Sequence, residues 1–174
     1  MDIDELIELV ELHGKSIYGF CRKLTGNKED ADDLYQETFL KAVELRHKID
    51  ASRNPKAFLI SIAIRLHKNH RRKLSWRQKI APAAELGDAA DKIASFASET
   101  TPEDAVLSLE QRAMLQDAAR RLDDKLKLPL YMYYTAEMTV EEISSALRIP
   151  PGTVKSRLHK ARNTMREVLE VDSP

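Results

Sequence analysis

TVEEISSALRIPPGTVKSRLHKARNTMR, residues 139–166, reads as two short helices separated by a tight turn. Thr139 is a helix N-cap residue with Glu142 three positions on, the spacing of a capping box, and Ile143, Ala146 and Leu147 continue an apolar stripe at helical period. The first helix is expected over roughly 140–147. Arg148, Ile149 and Pro150 interrupt it, and Pro151 with Gly152 restarts the chain at the first turn of a helix, where proline is tolerated. On the second helix Val154, Leu158, Ala161 and Met165 recur at spacings of four, three and four, so they share one face. Lys155, Ser156, His159 and Lys160 fall on another. A short helix, a turn and a second helix with a polar outer face are the parts of a DNA-binding helix-turn-helix.

The charge pattern supports that reading over an ordinary solvated hairpin. From Thr153 to Arg166 the chain carries Lys155, Arg157, Lys160, Arg162 and Arg166 and no acid. A helix that is merely solvated usually mixes signs to gain pairs at i, i+4. In a chain whose formal net charge is zero, a single-signed face means that charge has been sorted locally, as expected where phosphates are met.

A second basic run lies upstream: Arg65, Lys68, Arg71, Arg72, Lys73, Arg77 and Lys79, interleaved with His67, Asn69 and His70 and including Trp76. Asn54 and Pro55 supply the N-cap and first position of this helix, and Phe58, Leu59, Ile62, Ala63 and Leu66 its apolar face. Cations gathered near a helix C-terminus gain up to about 1 kcal/mol each, which accounts for two or three of them. The density of the run and its base-contacting neighbours point to nucleic acid.

The rest of the chain reads as helices and a tether. Ile3–Leu24 places Leu6, Leu9, Val10, Ile17, Phe20, Cys21 and Leu24 at helical spacing, with Gly14 and Gly19 as weak points. Asn27 caps a second helix with Glu29 and Asp30 in its first turn, an expected inner face of Tyr35, Phe39, Ala42 and Val43, and an acidic outer face. A loop from His47 to Asn54 follows. Residues 75–100, rich in Ala and Ser with Pro82 and Gly87, read as a flexible connector with a short helix near Asp91. Thr101, Pro102 and Asp104 then open a long helix ending near Arg121, and Lys125–Ala136 is another. No strand pattern and no internal repeat is present. The expected fold is all-α: two small helical domains, 1–74 and 101–174, on a flexible linker.

Composition excludes several classes. Cys21 is the sole cysteine of 174 residues, so no internal disulfide can form. The histidines show no ligand spacing beyond His67 and His70, which lack a second cluster, so no metal and no cofactor is expected. The apolar stretch near Ile62 ends at Arg65, far short of a bilayer span, and the N-terminus is acidic, so the expectation is a cytoplasmic protein without membrane insertion. Neither a Gly-rich phosphate loop nor a nucleophile motif nor a paired acid and base is found, so the chain is not expected to be an enzyme.

Four segments carry a resemblance. LTGNKEDADDLYQETFLKA (Leu24–Ala42) and RNPKAFLISIAIRLHKNHRRK (Arg53–Lys73) resemble region 2 of the extracytoplasmic-function (ECF) sigma factors of bacterial RNA polymerase. LPLYMYY (Leu128–Tyr134) and MTVEEISSALRIPPGTVKSRLHKAR (Met138–Arg162) resemble region 4 of the same family. Two departures stand out: Arg65 where the family often has Asn, and Glu137 where it often has Gly. The resemblance implies promoter-specific transcription initiation with core RNA polymerase and promoter DNA as partners and an anti-sigma protein as a further one. It implies core-polymerase docking by Asp33, Gln36 and Glu37, and capture of the unpaired −10 strand by Lys56, Asn69, His70 and Arg72. At the −35 duplex, Lys155, Ser156, His159 and Lys160 would face the major groove while Arg157 and Arg162 grip phosphates. The alternatives are a stand-alone helix-turn-helix regulator that dimerises through its first half, and a protein-interaction decoy. A connector long enough for two separated DNA elements argues against the first, and the basic faces argue against the second as a sole role.

Overall fold

Asp2 and Glu5 close the N-terminus of the first helix with a capping box, each side chain taking a backbone N–H of the other at 2.8 Å. In the computed structural model, which describes residues 1–80 and 109–171, this helix α1 runs unbroken from Ile3–Thr25 and ends on Gly26 at φ 80°. Helix α2 (Lys28–Leu45) starts at Asn27, whose side chain accepts from the Asp30 N–H at 2.9 Å. After a 3₁₀ turn, Arg46–Lys48, helix α3 (Pro55–Ile80) is capped by Asn54 Oδ1 on the Ala57 N–H at 3.0 Å. Residues 75–80, expected as the start of the connector, instead continue α3. The expected short helix near Asp91 and the Thr101–Asp104 cap lie outside the described residues.

Residues 1–80, with the short segment Thr135–Met138, form one unit, and residues 109–134 with 139–171 form the other. In the first, α1, α2 and α3 pack against one another. Its core holds Leu6, Leu9, Ile17, Phe20, Leu34, Leu59 and Ile60, with Phe20 and Ile17 wholly buried. The inner face of α2 differs from the expected Tyr35, Phe39, Ala42 and Val43. It is Ala31, Leu34, Thr38 and Ala42, with Tyr35 and Phe39 half-buried and Val43 exposed. Thr38 tolerates complete burial because its hydroxyl donates to the Leu34 carbonyl at 2.6 Å, a back-bond that hides its polarity from an apolar neighbourhood.

Gly14 sits where α1 and α2 come close. A Cβ there would lie 2.8 Å from Tyr35 Oη, whereas one on Gly19 would meet nothing within 4 Å. The Tyr35 ring is itself held edge-on by Tyr18 at 5.5 Å and Phe39 at 4.8 Å, so it has little room to retreat. Gly19→Ala should therefore stabilise the first unit by up to about 1 kcal/mol through helix propensity. Gly14→Ala should destabilise it by about 1 to 2 kcal/mol, the overpacking exceeding the same gain. Urea unfolding followed by circular dichroism would check the opposite signs.

The second unit consists of α4 (Leu109–Arg120), α5 (Asp124–Tyr134), α6 (Val140–Leu147) and α7 (Pro151–Val171), with α7 packed against the other three. Leu122, Leu130, Met132, Ile143, Val154, Leu158 and Ala161 are its buried centre. No described helix is long and apolar enough to cross a membrane.

Candidate nucleic-acid interfaces

The turn between α6 and α7 is built by local hydrogen bonds. Thr139 Oγ1 accepts from the Glu142 N–H at 3.2 Å and Glu142 returns the contact to the Thr139 N–H at 2.9 Å. At the other end Arg148 takes the left-handed conformation, φ 55° and ψ 47°, and its N–H bonds to the Ser144 carbonyl. The Ser144 hydroxyl donates to the Ile149 carbonyl at 2.6 Å, and the Ile149 N–H donates to the Ser144 carbonyl at 3.2 Å. Pro150 then offers its carbonyl to the N–H groups of Thr153 and Val154. These bonds satisfy both ends of an eight-residue helix that is too short to persist alone.

Val154, Leu158 and Ala161 are buried at 2 % exposure or less, and Met165 is half-buried. The stripe read from spacing is thus the packed face of α7. Lys155, Ser156, His159, Lys160 and Arg162 are exposed and Arg157 is half-exposed. His159 Nε2 lies 3.1 Å from Asn163 Nδ2, one helical turn on. Arg162 is more engaged than its spacing implied. Its Nε donates to Tyr134 Oη at 2.6 Å, and its guanidinium carbon lies 5.7 Å and 5.5 Å from the ring centres of Tyr133 and Tyr134. The two rings and the single bond through Nε hold the guanidinium in place.

In the first unit the acidic face of α2 carries Asp33 and Gln36 exposed and Glu37 partly exposed. They lie three and four residues apart, on one side of the helix. Asp32 is differently used: it accepts from the Tyr18 hydroxyl at 2.6 Å, which raises the Tyr18 pKa above its ordinary value. Beside the acids runs an apolar groove that the residue spacing did not reveal, lined by Val10, Tyr35, Phe39, Leu40 and Val43, with Gln36 on its edge. Leu40 is 67 % exposed there. The signal was present in the sequence, since Asp33, Gln36, Glu37 and Leu40 form one helical row, but an apolar residue at the end of a charged row reads as core.

On α3, Asn69 and Arg72 are exposed and His70 is half-buried. His70 Nε2 lies 3.0 Å from a Glu37 carboxylate oxygen. Residues expected to meet two different partners are thus joined across α2 and α3. Lys56 is buried, 9 % exposed, with its ammonium 3.5 Å from Glu137 in the 135–138 segment. Glu137, standing where a glycine was noted as common, has φ 54°, the left-handed region that glycine enters most easily. Cys21 is fully buried, and burial pushes its thiol up to about 12, so it is no nucleophile in the folded chain.

A helix-turn-helix whose second helix is free of acids from Pro151 to Arg166, and a second basic helix flanked by an acidic one, define a nucleic-acid-binding protein of two helical units. Sigma-70 region 2 matches residues 9–77 and Sigma-70 region 4 matches residues 112–165. The chain is 30% identical to the ECF RNA polymerase sigma factor SigW of Bacillus subtilis (strain 168), over 97% of this chain and 90% of that protein. It is 27% identical to the ECF RNA polymerase sigma factor SigL of Mycobacterium tuberculosis (strain ATCC 25618 / H37Rv), over 93% of this chain and 87% of that one. Its fold is similar to that of the sigma factor RpoE from Bartonella quintana, solved in complex with the anti-sigma factor NepR (TM-score 0.77, 22% identity, 98% of this chain and 100% of that chain). CnrH, solved with the cytosolic domain of CnrY, is also similar in fold (TM-score 0.67, 18% identity, 99% and 92%). The chain belongs to the ECF RNA polymerase sigma factors, and acts as an alternative sigma factor in promoter-specific transcription initiation. Matches to both halves set aside the stand-alone regulator.

Proposed function

We propose that the two units divide promoter recognition between them, the second reading the −35 duplex through α7 and the first holding the unpaired −10 strand while docked on core polymerase. The observation that carries this is the sorting of side chains on α7. Val154, Leu158 and Ala161 are packed inward, while Lys155, Ser156, His159 and Lys160 stand outward with no acid between Pro151 and Arg166. Lys155, Ser156, His159 and Lys160 contact base edges, and Arg157 and Arg162 contact phosphates. Asp33, Gln36 and Glu37 dock on core polymerase, and the neighbouring apolar groove supplies the desolvated part of that contact. Lys56, Asn69, His70 and Arg72 belong to the −10 strand, with Lys56 requiring a change in its present pairing to reach it. The chain performs no chemistry itself, acts in the cytoplasm, and is restrained by an anti-sigma protein, a reading supported by the similarly folded RpoE, which was solved in complex with the anti-sigma factor NepR.

Run-off transcription with bacterial core polymerase on a randomised promoter library tests the reading. Two conserved elements split by a spacer are expected. A palindrome bound without polymerase would defeat it.

Lys155→Ala and Lys160→Ala should each weaken −35 binding by about 1 to 3 kcal/mol and relax sequence discrimination, as loss of a base contact does. Arg162→Ala should weaken all sequences alike and reduce the salt dependence. Tyr134→Phe, which removes only the hydroxyl that fixes Nε, should reproduce a fraction of that loss. Binding isotherms on matched and mismatched duplexes at several salt concentrations separate these outcomes.

Asn69→Ala with Arg72→Ala should leave closed-complex binding nearly intact while reducing open complex. Contacts to exposed bases are made only after the strands part, so the loss falls on melting. Permanganate reactivity of −10 thymines should drop on a duplex promoter. A mismatched bubble across the element should recover transcription at least in part.

A further inference from the structure

From Arg71 to Ile80 every residue of α3 is exposed, a length of about 15 Å at the helical rise. The buried part of the helix ends at Ile64. Core packing therefore does not account for the side chains from Arg71 onward, and these include Trp76, 67 % exposed. Helix α3 contains no acid along its whole length. Arg65, Lys68, Arg72, Trp76 and Lys79 recur at spacings of three, four, four and three, so they form one exposed row down the helix. Around the tryptophan, Arg71, Arg72, Ser75 and Lys79 line a shallow groove.

We propose that Trp76 is a stacking platform for an unpaired base of single-stranded DNA, at the end of the cationic row that holds the strand's phosphates. Cations spaced along a rigid helix with an aromatic ring set among them are the two components of sequence-tolerant single-strand binding. The duplex is the poorer occupant, because its base faces are already stacked on one another and only an unpaired base can offer a π-face to the indole. The proposal rests on the reading of α3 as the single-strand face, and extends that face a full turn beyond Arg72.

Trp76 is the sole tryptophan of the chain, so intrinsic fluorescence of the full-length protein reports on it directly. The chain is titrated at low salt with a fluorescein-labelled oligothymidylate, followed by anisotropy, and with the unlabelled strand, followed by indole emission. The same strand annealed to its complement is the duplex comparison. Binding of the single strand should quench Trp76 strongly, and the duplex should quench it far less. Trp76→Ala should weaken single-strand binding about 5- to 150-fold, while Trp76→Phe retains most of the affinity and circular dichroism of both variants stays unchanged. If the strand binds but Trp76 emission does not change, or Trp76→Ala binds as the parent does, the stacking role is wrong and the reading of α3 stands. Equal quenching by duplex would also overturn it, placing the indole on a double-stranded surface. If no single strand binds, or Arg65→Ala with Lys68→Ala and Arg72→Ala leaves binding unchanged, the reading of α3 itself falls and the proposal with it.

Discussion

Asp33→Arg combined with Glu37→Arg is expected to weaken association with core RNA polymerase at least a hundredfold, on the order of 3 kcal/mol or more. The two carboxylates lie four residues apart on the outward side of α2, next to Gln36 and to an apolar groove. Reversing both signs places like charges against a surface that should be basic where it receives them, and such juxtapositions cost several kcal/mol. Helix α2 itself should survive. Its packed face is Ala31, Leu34, Thr38 and Ala42, and its N-cap is Asn27, so neither substitution touches what holds it. The Glu37 contact with His70 at 3.0 Å is lost at the same time. His70→Ala is therefore the needed control, since it removes that contact and leaves the acidic face intact. Co-elution with core polymerase on gel filtration should fail for the double variant and persist for His70→Ala. Unchanged co-elution of the double variant would rule out this docking face.

Ile143→Ala should cost about 2 to 5 kcal/mol and unfold the second unit before the first. Ile143 is wholly buried and is the one buried residue of α6. A helix of eight residues cannot sustain itself by propensity and depends on such packing. Truncation leaves a cavity against α5 and α7, and the unit is too small to absorb that loss from its other contacts. Hydrogen exchange should show early loss of protection across α6 and α7. Cys21 provides the internal control: it is fully buried in the first unit and its thiol is pushed up to about 12. Alkylation of Cys21 should stay as slow as in the parent chain. Faster alkylation would mean that the two units do not unfold separately.

Much of this architecture was legible in the residues because it depends on local rules. The Thr139 and Glu142 capping box, the Asn27 and Asn54 caps, and the Val154, Leu158 and Ala161 stripe are fixed by spacings of three and four on a helix, and each is found as read. Other features had no local signature. Thr38 is polar by composition and yet forms part of the inner face, since its back-bond to Leu34 is invisible until the helix exists. Leu40 is apolar and yet lies outside, because which side of α2 is covered depends on where α1 and α3 pack.

The amino-acid order alone determined that the chain is helical, that it divides into two parts, where the helix-turn-helix begins, and that its second helix carries cations and no acid as far as Arg166. Those properties follow from periodicity, caps and the sorting of charge, which act over a few residues. Only the tertiary structure decided which side chains reach one another from distant positions, and which stay exposed: the Glu37 and His70 contact, the hold of Tyr133 and Tyr134 on Arg162, the burial of Lys56, and the exposure of Trp76 near the C-terminal end of α3. Each depends on the packing and termination of helices, and packing is a property of surfaces that sequence spacing describes one helix at a time.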